Sequence, residues 1–251
     1  ETKGKQFTIV GIKKSKTKSH APAPFTTSTM QQDALNKLNM SLARTTASAQ
    51  QLYEGVDIKG EGKIALITYI RTDSVRVSAD AQNACLEFIK QKYGDEYVPA
   101  KPNIYHTKES AQDAHEAIRP ITMDITPEMA KDNYRLYKLI YERFLASQMC
   151  EAEYSSVTVN FDCEGYGFKV SGRTLEFAGY TKVYKEYSDK DKDDGDGLAG
   201  KLPKMEEGEM LDCEKIVPEQ KFTKPPARYT EASLVKAMEE KGIGRPATYS
   251  A

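Results

Sequence analysis

The apolar period of this 251-residue chain changes near Tyr154 from that of a helix to that of a strand, so helical and β-structure must occupy separate stretches. Upstream, Thr126 reads as a cap and Pro127 as a first-turn residue. Tyr134, Tyr137, Ile140, Tyr141, Phe144 and Leu145 then recur at three-to-four spacing, which predicts a long helix with its tyrosine stripe in the core. Downstream, Val157, Val159, Phe161 and Cys163 alternate with polar residues, and the Gly-punctuated pieces 166–170 and 175–184 continue as hairpin-like strands. An apolar strand over 7–12 precedes the stiff turn Ala21-Pro22-Ala23-Pro24. The simplest organisation is a β-domain that begins before Ala21, is interrupted by a helical domain, and resumes after about Ala152.

Within the helical block, Ser28 with Gln31 fits a capping box, with Leu35 and Leu38 as the apolar stripe of a short helix. A second helix is expected over 41–53, stopping at Gly55, and residues 63–68 read as one buried strand behind a Gly-Glu-Gly turn. Ser78 caps a third helix ending near Gly94, with Cys85, Phe88 and Ile89 on its apolar face. A last helix starts at Thr230, with Leu234, Val235 and Met238 inward, and ends at Gly242; Thr248 opens what looks like another.

The formal net charge of −1 counts against a nucleic-acid partner until its distribution is considered. Residues 186–214 hold eleven Asp or Glu against four Lys, a net of −7, which leaves +6 on the remainder. That remainder can hold a polyanion. Residues 188–200, rich in Asp, Lys and Gly, read as a solvated loop; they lack the Gly and Glu positions of a calcium loop. Cys85, Cys150, Cys163 and Cys213 lie far apart without a CxxC pair, which argues against a disulfide framework or zinc site and for a reducing, cytoplasmic setting. No apolar run approaches the roughly 18 residues of a membrane span, and Glu1 is followed by no targeting pattern, so the chain reads as part of something longer.

The most unusual stretch is Ile67-Thr68-Tyr69-Ile70-Arg71-Thr72-Asp73-Ser74. In an extended segment residues two apart share a face, so Tyr69 and Arg71 point the same way with Asp73 alongside. A phenol beside a guanidinium suits attack on a phosphodiester: the phenol, with an ordinary pKa of about 10, needs a cation or base to act as a nucleophile, and Arg can grip phosphate oxygens. The same residues equally suit a half-buried strand whose tyrosine hydroxyl is hydrogen-bonded. Spacing alone leaves both readings open.

The octet resembles the active-site signature of type IA DNA topoisomerases. Four other segments agree in order. Residues 23–32, Ala-Pro-Phe-Thr-Thr-Ser-Thr-Met-Gln-Gln, are similar to the family's entry into its helical domain; residues 114–120, Ala-His-Glu-Ala-Ile-Arg-Pro, to its His-containing motif. Residues 222–235 and 242–249 resemble its later DNA-binding segment. Ile70, apolar, is similar to bacterial topoisomerase I, where the topoisomerase III branch usually has proline and reverse gyrase often histidine.

The resemblance implies an α+β multidomain fold: a β-rich arch over 1–28 and 153–226, a helical gate domain over 29–152, and the start of a further helical domain over 227–251. It makes Tyr69 the nucleophile that becomes joined to a 5′ phosphate and Arg71 the residue that holds the scissile phosphate. His115 assists near that phosphate or in gate opening, and Arg245, Thr248, Lys224 and Arg228 contact DNA. Asp73 is either a supporting residue or a turn cap, and Glu116 either supports the site or forms an ion pair with Arg119. The implied cofactor is Mg2+, with its acidic ligands in an N-terminal domain outside these residues. Single-stranded and negatively supercoiled DNA are the expected partners of a monomeric, nucleoid-associated enzyme. The lack of a GxxxxGK[ST] loop fits relaxation without ATP. The chain by itself is expected to be inactive; the alternatives are a single-stranded-DNA-binding module without catalysis, and a metal-dependent nuclease.

Overall fold

The structure, a computed structural model, describes residues 2, 4–58, 60, 62–106, 115–185, 202–223 and 225–249. Along the chain run β1 (Gln6–Ser19), α1 (Thr27–Leu38), α2 (Leu42–Glu54), β2 (Val56–Ile58), β3 (Gly62–Ile64), α3 (Ala79–Tyr93), α4 (Tyr134–Ser147), β4 (Ala152–Cys163), β5 (Tyr166–Phe177), β6 (Met210–Asp212) and α5 (Glu231–Glu240). They form two compact units, residues 1–19, 152–178 and 188–227, and residues 20–151, 179–187 and 228–251.

The first unit is an antiparallel sheet in the order β5-β4-β1-β6. The β4–β5 hairpin turns through Glu164 and Gly165, both at positive φ (55° and 82°), the geometry that matches strand twist in a two-residue loop. The Gly165 N–H donates to Asp162 Oδ2 at 3.2 Å. Between Ile9 and Gly11 the register with β4 slips by one residue, a bulge that leaves Val10 exposed. The opening strand runs past residue 12 to Ser19, because its Lys, Ser and Thr residues pair their backbone with β4 without needing apolar side chains. The two Gly-punctuated pieces expected after residue 166 are one continuous β5 followed by a 3-10 turn, Gly179–Lys182.

The second unit is built around α4, whose Tyr137, Ile140, Tyr141, Phe144 and Leu145 are buried. Of the expected tyrosine stripe, Tyr134 is only half-buried, while Tyr137 and Tyr141 are core, donating to the carbonyls of Ile125 and Met123, each at 2.9 Å. Burial pushes both phenols well above their ordinary range. Two boundaries differ from expectation. Residues Pro127–Asn133 form a 3-10 turn before α4. The capping box of α1 is Thr26 with Thr29, each side chain bonding the other's backbone N–H, while Ser28 donates to Glu239 of α5. Leu234 is exposed on α5, whereas Val235 is buried. No helix among the described residues is long and apolar enough to cross a membrane.

Residues 63–68 are not one strand. Only Gly62–Ile64 pair with Val56–Ile58, as a hairpin. Beyond it the chain pairs with residues 117–121: the N–H groups of Ile121 and Thr68 donate to the carbonyls of Leu66 and Arg119, each at 3.0 Å. Leu66 and Ile67 are buried there. The expected solvated loop over 188–200 lies outside the described residues.

Candidate active site

The pairing of residues 66–68 with 117–121 decides what surrounds Tyr69. The Ala117 N–H donates to the Arg76 carbonyl and the Ile118 N–H to the Phe25 carbonyl, each at 2.8 Å, so the segment that starts at His115 is clamped on both sides. Where it emerges, the His115 and Tyr69 rings stand 5.2 Å apart, inclined at 45°.

From Tyr69 onward the side chains alternate. Ile70, Thr72 and Ser74 are buried; Tyr69 and Arg71 are exposed and Asp73 is half-buried. The alternation is pinned by Thr27 at the start of α1, whose hydroxyl donates to the carbonyls of Ile70 (2.7 Å) and Thr72 (3.0 Å) and accepts the Thr72 N–H (2.9 Å). The Thr27 N–H also donates to the Thr72 carbonyl at 2.9 Å. Thr27→Val keeps the shape and the Thr27 N–H bond to the Thr72 carbonyl but removes the hydroxyl's bonds to the Ile70 carbonyl and the Thr72 N–H, and should cost about 2–3 kcal/mol of stability in urea denaturation. A loss under about 0.5 kcal/mol would mean that Thr27 does not hold the segment.

The fourth side comes from the end of α5. Ile243 N–H donates to the Met238 carbonyl (2.8 Å) and Gly242 N–H to the Glu239 carbonyl (3.2 Å), a Schellman closure in which Gly242 takes φ 67°. The chain turns again at Gly244 (φ 80°), and the Thr248 hydroxyl accepts the Arg245 N–H at 2.9 Å, shaping the loop that carries Arg245. Two side-chain bonds tie α5 down: Ser28 to Glu239, and the Leu42 N–H to Glu231 at 3.2 Å.

These elements bring Tyr69, Arg71, Asp73, His115, Arg245, Pro246 and Ala247 around one cavity of about 510 Å³. No hydrogen bond or ion pair among the described residues engages the Tyr69 hydroxyl or the Arg71 guanidinium. Arg119 and Arg143, by contrast, are partnered. Arg119 donates through Nε (2.8 Å) and Nη2 (2.7 Å) to Glu116 Oε2, and Arg143 sits against Asp33 and Tyr184. Glu116 is thus one half of an ion pair. Thr248 and Arg228 lie outside the cavity lining; Arg228 is exposed ahead of α5, and Lys224 lies outside the described residues.

Two tyrosines of this neighbourhood were given no role in the sequence reading, although Tyr249 closes the segment 242–249. Tyr53, in the last turn of α2, packs edge-on to Tyr69 with ring centroids 5.6 Å apart at 69°. Tyr249 has its phenol pushed up by burial first and then by Glu239 and Asp73, with Arg245 opposing. The signal available for Tyr53 was an aromatic residue two positions before a helix-stopping glycine. Among the described residues no group of three or more His, Cys, Asp or Glu could hold a metal ion.

The segment that presents a phenol and an unpaired guanidinium into this cavity has the chemistry to meet a phosphate, and it is carried by a mixed fold of five helices and an antiparallel sheet among the described residues. The DNA topoisomerase family profile matches residues 1–251, and the chain belongs to that family. It is similar to full-length topoisomerase I from Thermotoga maritima, with a TM-score of 0.81 and 40% identity. The match covers 99% of this chain and 40% of that one, so the chain spans well under half the length of its structural relative.

Proposed function

We propose that these residues carry the tyrosine of a type IA topoisomerase, which breaks and reseals one DNA strand and relaxes negatively supercoiled DNA without ATP. The observation that carries the reading is the shared cavity of Tyr69, Arg71, His115 and Arg245. Tyr69 Oη attacks the phosphorus, the new O–P bond joins the 5′ phosphate to tyrosine, and the P–O3′ bond breaks. The phenolic proton leaves and the 3′ oxygen takes one up. Resealing is the reverse, and because one phosphodiester is exchanged for another of similar energy, no nucleotide need be consumed. Arg71 balances charge on the phosphate oxygens, and Arg245 holds the strand on the other side of the cavity. His115 assists near the same phosphate; Thr248 acts through the loop that presents Arg245, and Lys224 and Arg228 extend the strand contact. Asp73 supports the site from the cavity wall.

In the same reading, the helical unit is the moving gate of an arch built from the β-rich parts, and the C-terminal segment begins a further helical domain. No group of acidic or His and Cys side chains among the described residues could hold a magnesium ion, and in this reading its ligands belong to an N-terminal domain outside these 251 residues. A monomer working on DNA in the cytoplasm completes the proposal. Trapping tests it: after denaturation during reaction with 3′-end-labelled single-stranded DNA, the label should stay on a peptide containing Tyr69. DNA retained without an adduct would favour the binding module; hydrolysis without an adduct would favour a nuclease.

The isolated 251 residues should bind single-stranded DNA weakly and fail to relax a plasmid in magnesium. Binding should fall as salt rises, with a slope near −0.7 per phosphate contact, because each contact releases counterions. Filter binding across a salt series and a relaxation gel check both; relaxation by the isolated chain would show that all the essential chemistry lies within it.

A further inference from the structure

We propose that Tyr53 is a positioning residue that sets the direction of the Tyr69 phenol. The inference rests on the reading of Tyr69 as the nucleophile. Tyr69 is 38% exposed, and no hydrogen bond among the described residues engages its hydroxyl. Its ring direction is therefore set by ring contacts. Among the described residues there are two: His115, inclined at 5.2 Å, and Tyr53, edge-on at 5.6 Å. Both separations fall within the favourable range for aromatic pairs, and the 69° Tyr53 geometry is the edge-to-face arrangement that ring quadrupoles prefer.

The chain is built to deliver this contact. α2 stops at Gly55, whose φ of 112° is unsuited to other residues and whose added Cβ would lie 3.0–3.3 Å from Lys63 and Ile64. The β2–β3 hairpin then returns the chain so that the Leu66 N–H donates to the Leu52 carbonyl at 2.8 Å. Leu52 is wholly buried. Its neighbour Tyr53 is held at the rim, 37% exposed, beside the residue that the returning strand presents three positions later.

A nucleophile must reach within roughly 3–3.5 Å of the reacting atom along the attack line, and an exposed tyrosine has two side-chain torsions that can take it elsewhere. Tyr53 closes off one side of that freedom. Losing it should lower the fraction of bound complexes in which the phenol faces phosphorus, without altering how the strand is held.

The test uses the complete protein with Tyr53→Phe, Tyr53→Leu, Tyr53→Ala and, as a control, Tyr69→Phe. Single-turnover cleavage and single-stranded-DNA affinity are measured separately. Tyr53→Phe keeps the ring and should cleave within about twofold of wild type. Tyr53→Leu and Tyr53→Ala should cleave about tenfold more slowly with Kd within about twofold, a loss of about 1.4 kcal/mol confined to the chemical step. Wild-type cleavage by both Leu and Ala variants, with Tyr69→Phe inactive, overturns the role of Tyr53 alone. So does a Phe variant as slow as Ala, or a parallel rise in Kd. Should Tyr53→Ala fail to fold, the Phe and Leu pair decides. Full cleavage by Tyr69→Phe would instead overturn the reading on which the inference rests.

Discussion

Tyr69→Phe is expected to abolish strand cleavage and plasmid relaxation in the protein that carries these residues, lowering both by on the order of a thousandfold or more. The substitution removes one oxygen. The ring contacts with Tyr53 and His115 remain, and no hydrogen bond among the described residues is lost, so stability should stay within about 0.5 kcal/mol of wild type. Binding of single-stranded DNA should stay within a few-fold, because Arg71 and Arg245 still line the cavity. A relaxation gel, a covalent-adduct gel and a thermal melt on one preparation separate these effects. Normal relaxation would remove Tyr69 from the chemistry, whatever its surroundings.

What the sequence made legible was local. Ser41 caps α2 and the positive-φ glycines Gly55 and Gly94 stop α2 and α3, because such signals act over one turn; Ser78 precedes α3 as expected but makes no side-chain cap bond, its hydroxyl accepting from Arg119 instead. The alternation from Tyr69 to Ser74 was readable too, since it follows the period of two expected of a non-helical stretch, and it persists although the chain bends at Ile70 and Arg71. Competition between equivalent local choices was not readable. Thr26 and Ser28 are both good caps, and the reciprocal partner Thr29 together with the demand of Glu239 on Ser28 decides between them. Leu234 and Val235 are adjacent apolar residues of α5, and only the docking of the helix chooses which is buried.

The cavity itself depends on contacts distant in sequence. Tyr69 meets His115 because Thr68 pairs with Arg119, and Arg245 joins them because α5 is fastened to residues 28 and 42. No period or cap encodes those pairings. The motif resemblance grouped all the lining residues: Tyr69, Arg71 and Asp73 in the octet, His115 in residues 114–120, and Arg245, Pro246 and Ala247 in residues 242–249. It passed over Tyr53, whose contact with Tyr69 follows from the return of a hairpin that the sequence reading took for a single strand.

Arg71→Ala should slow cleavage by about 10²–10³-fold, the usual cost of removing one charge-stabilising donor from a reacting centre. Arg71 is suited to that loss being purely functional. It is exposed and makes no ion pair or hydrogen bond among the described residues, so its removal leaves no buried partner behind and stability should hardly change. An unpaired guanidinium also approaches a phosphate without first breaking a salt bridge, unlike Arg119, which would have to leave Glu116. Arg71→Lys separates charge from shape: the ammonium keeps the cation but loses the planar fork, so a partial loss of about tenfold is expected. Single-turnover cleavage of a labelled strand reads the rate, and a salt series of binding should lose one phosphate contact, about 0.7 in slope, in the Ala variant but not in the Lys variant. Cleavage by Arg71→Ala within about twofold of wild type would make Arg71 a surface residue that merely shares the cavity with Tyr69, and would shift the task of balancing phosphate charge to Arg245.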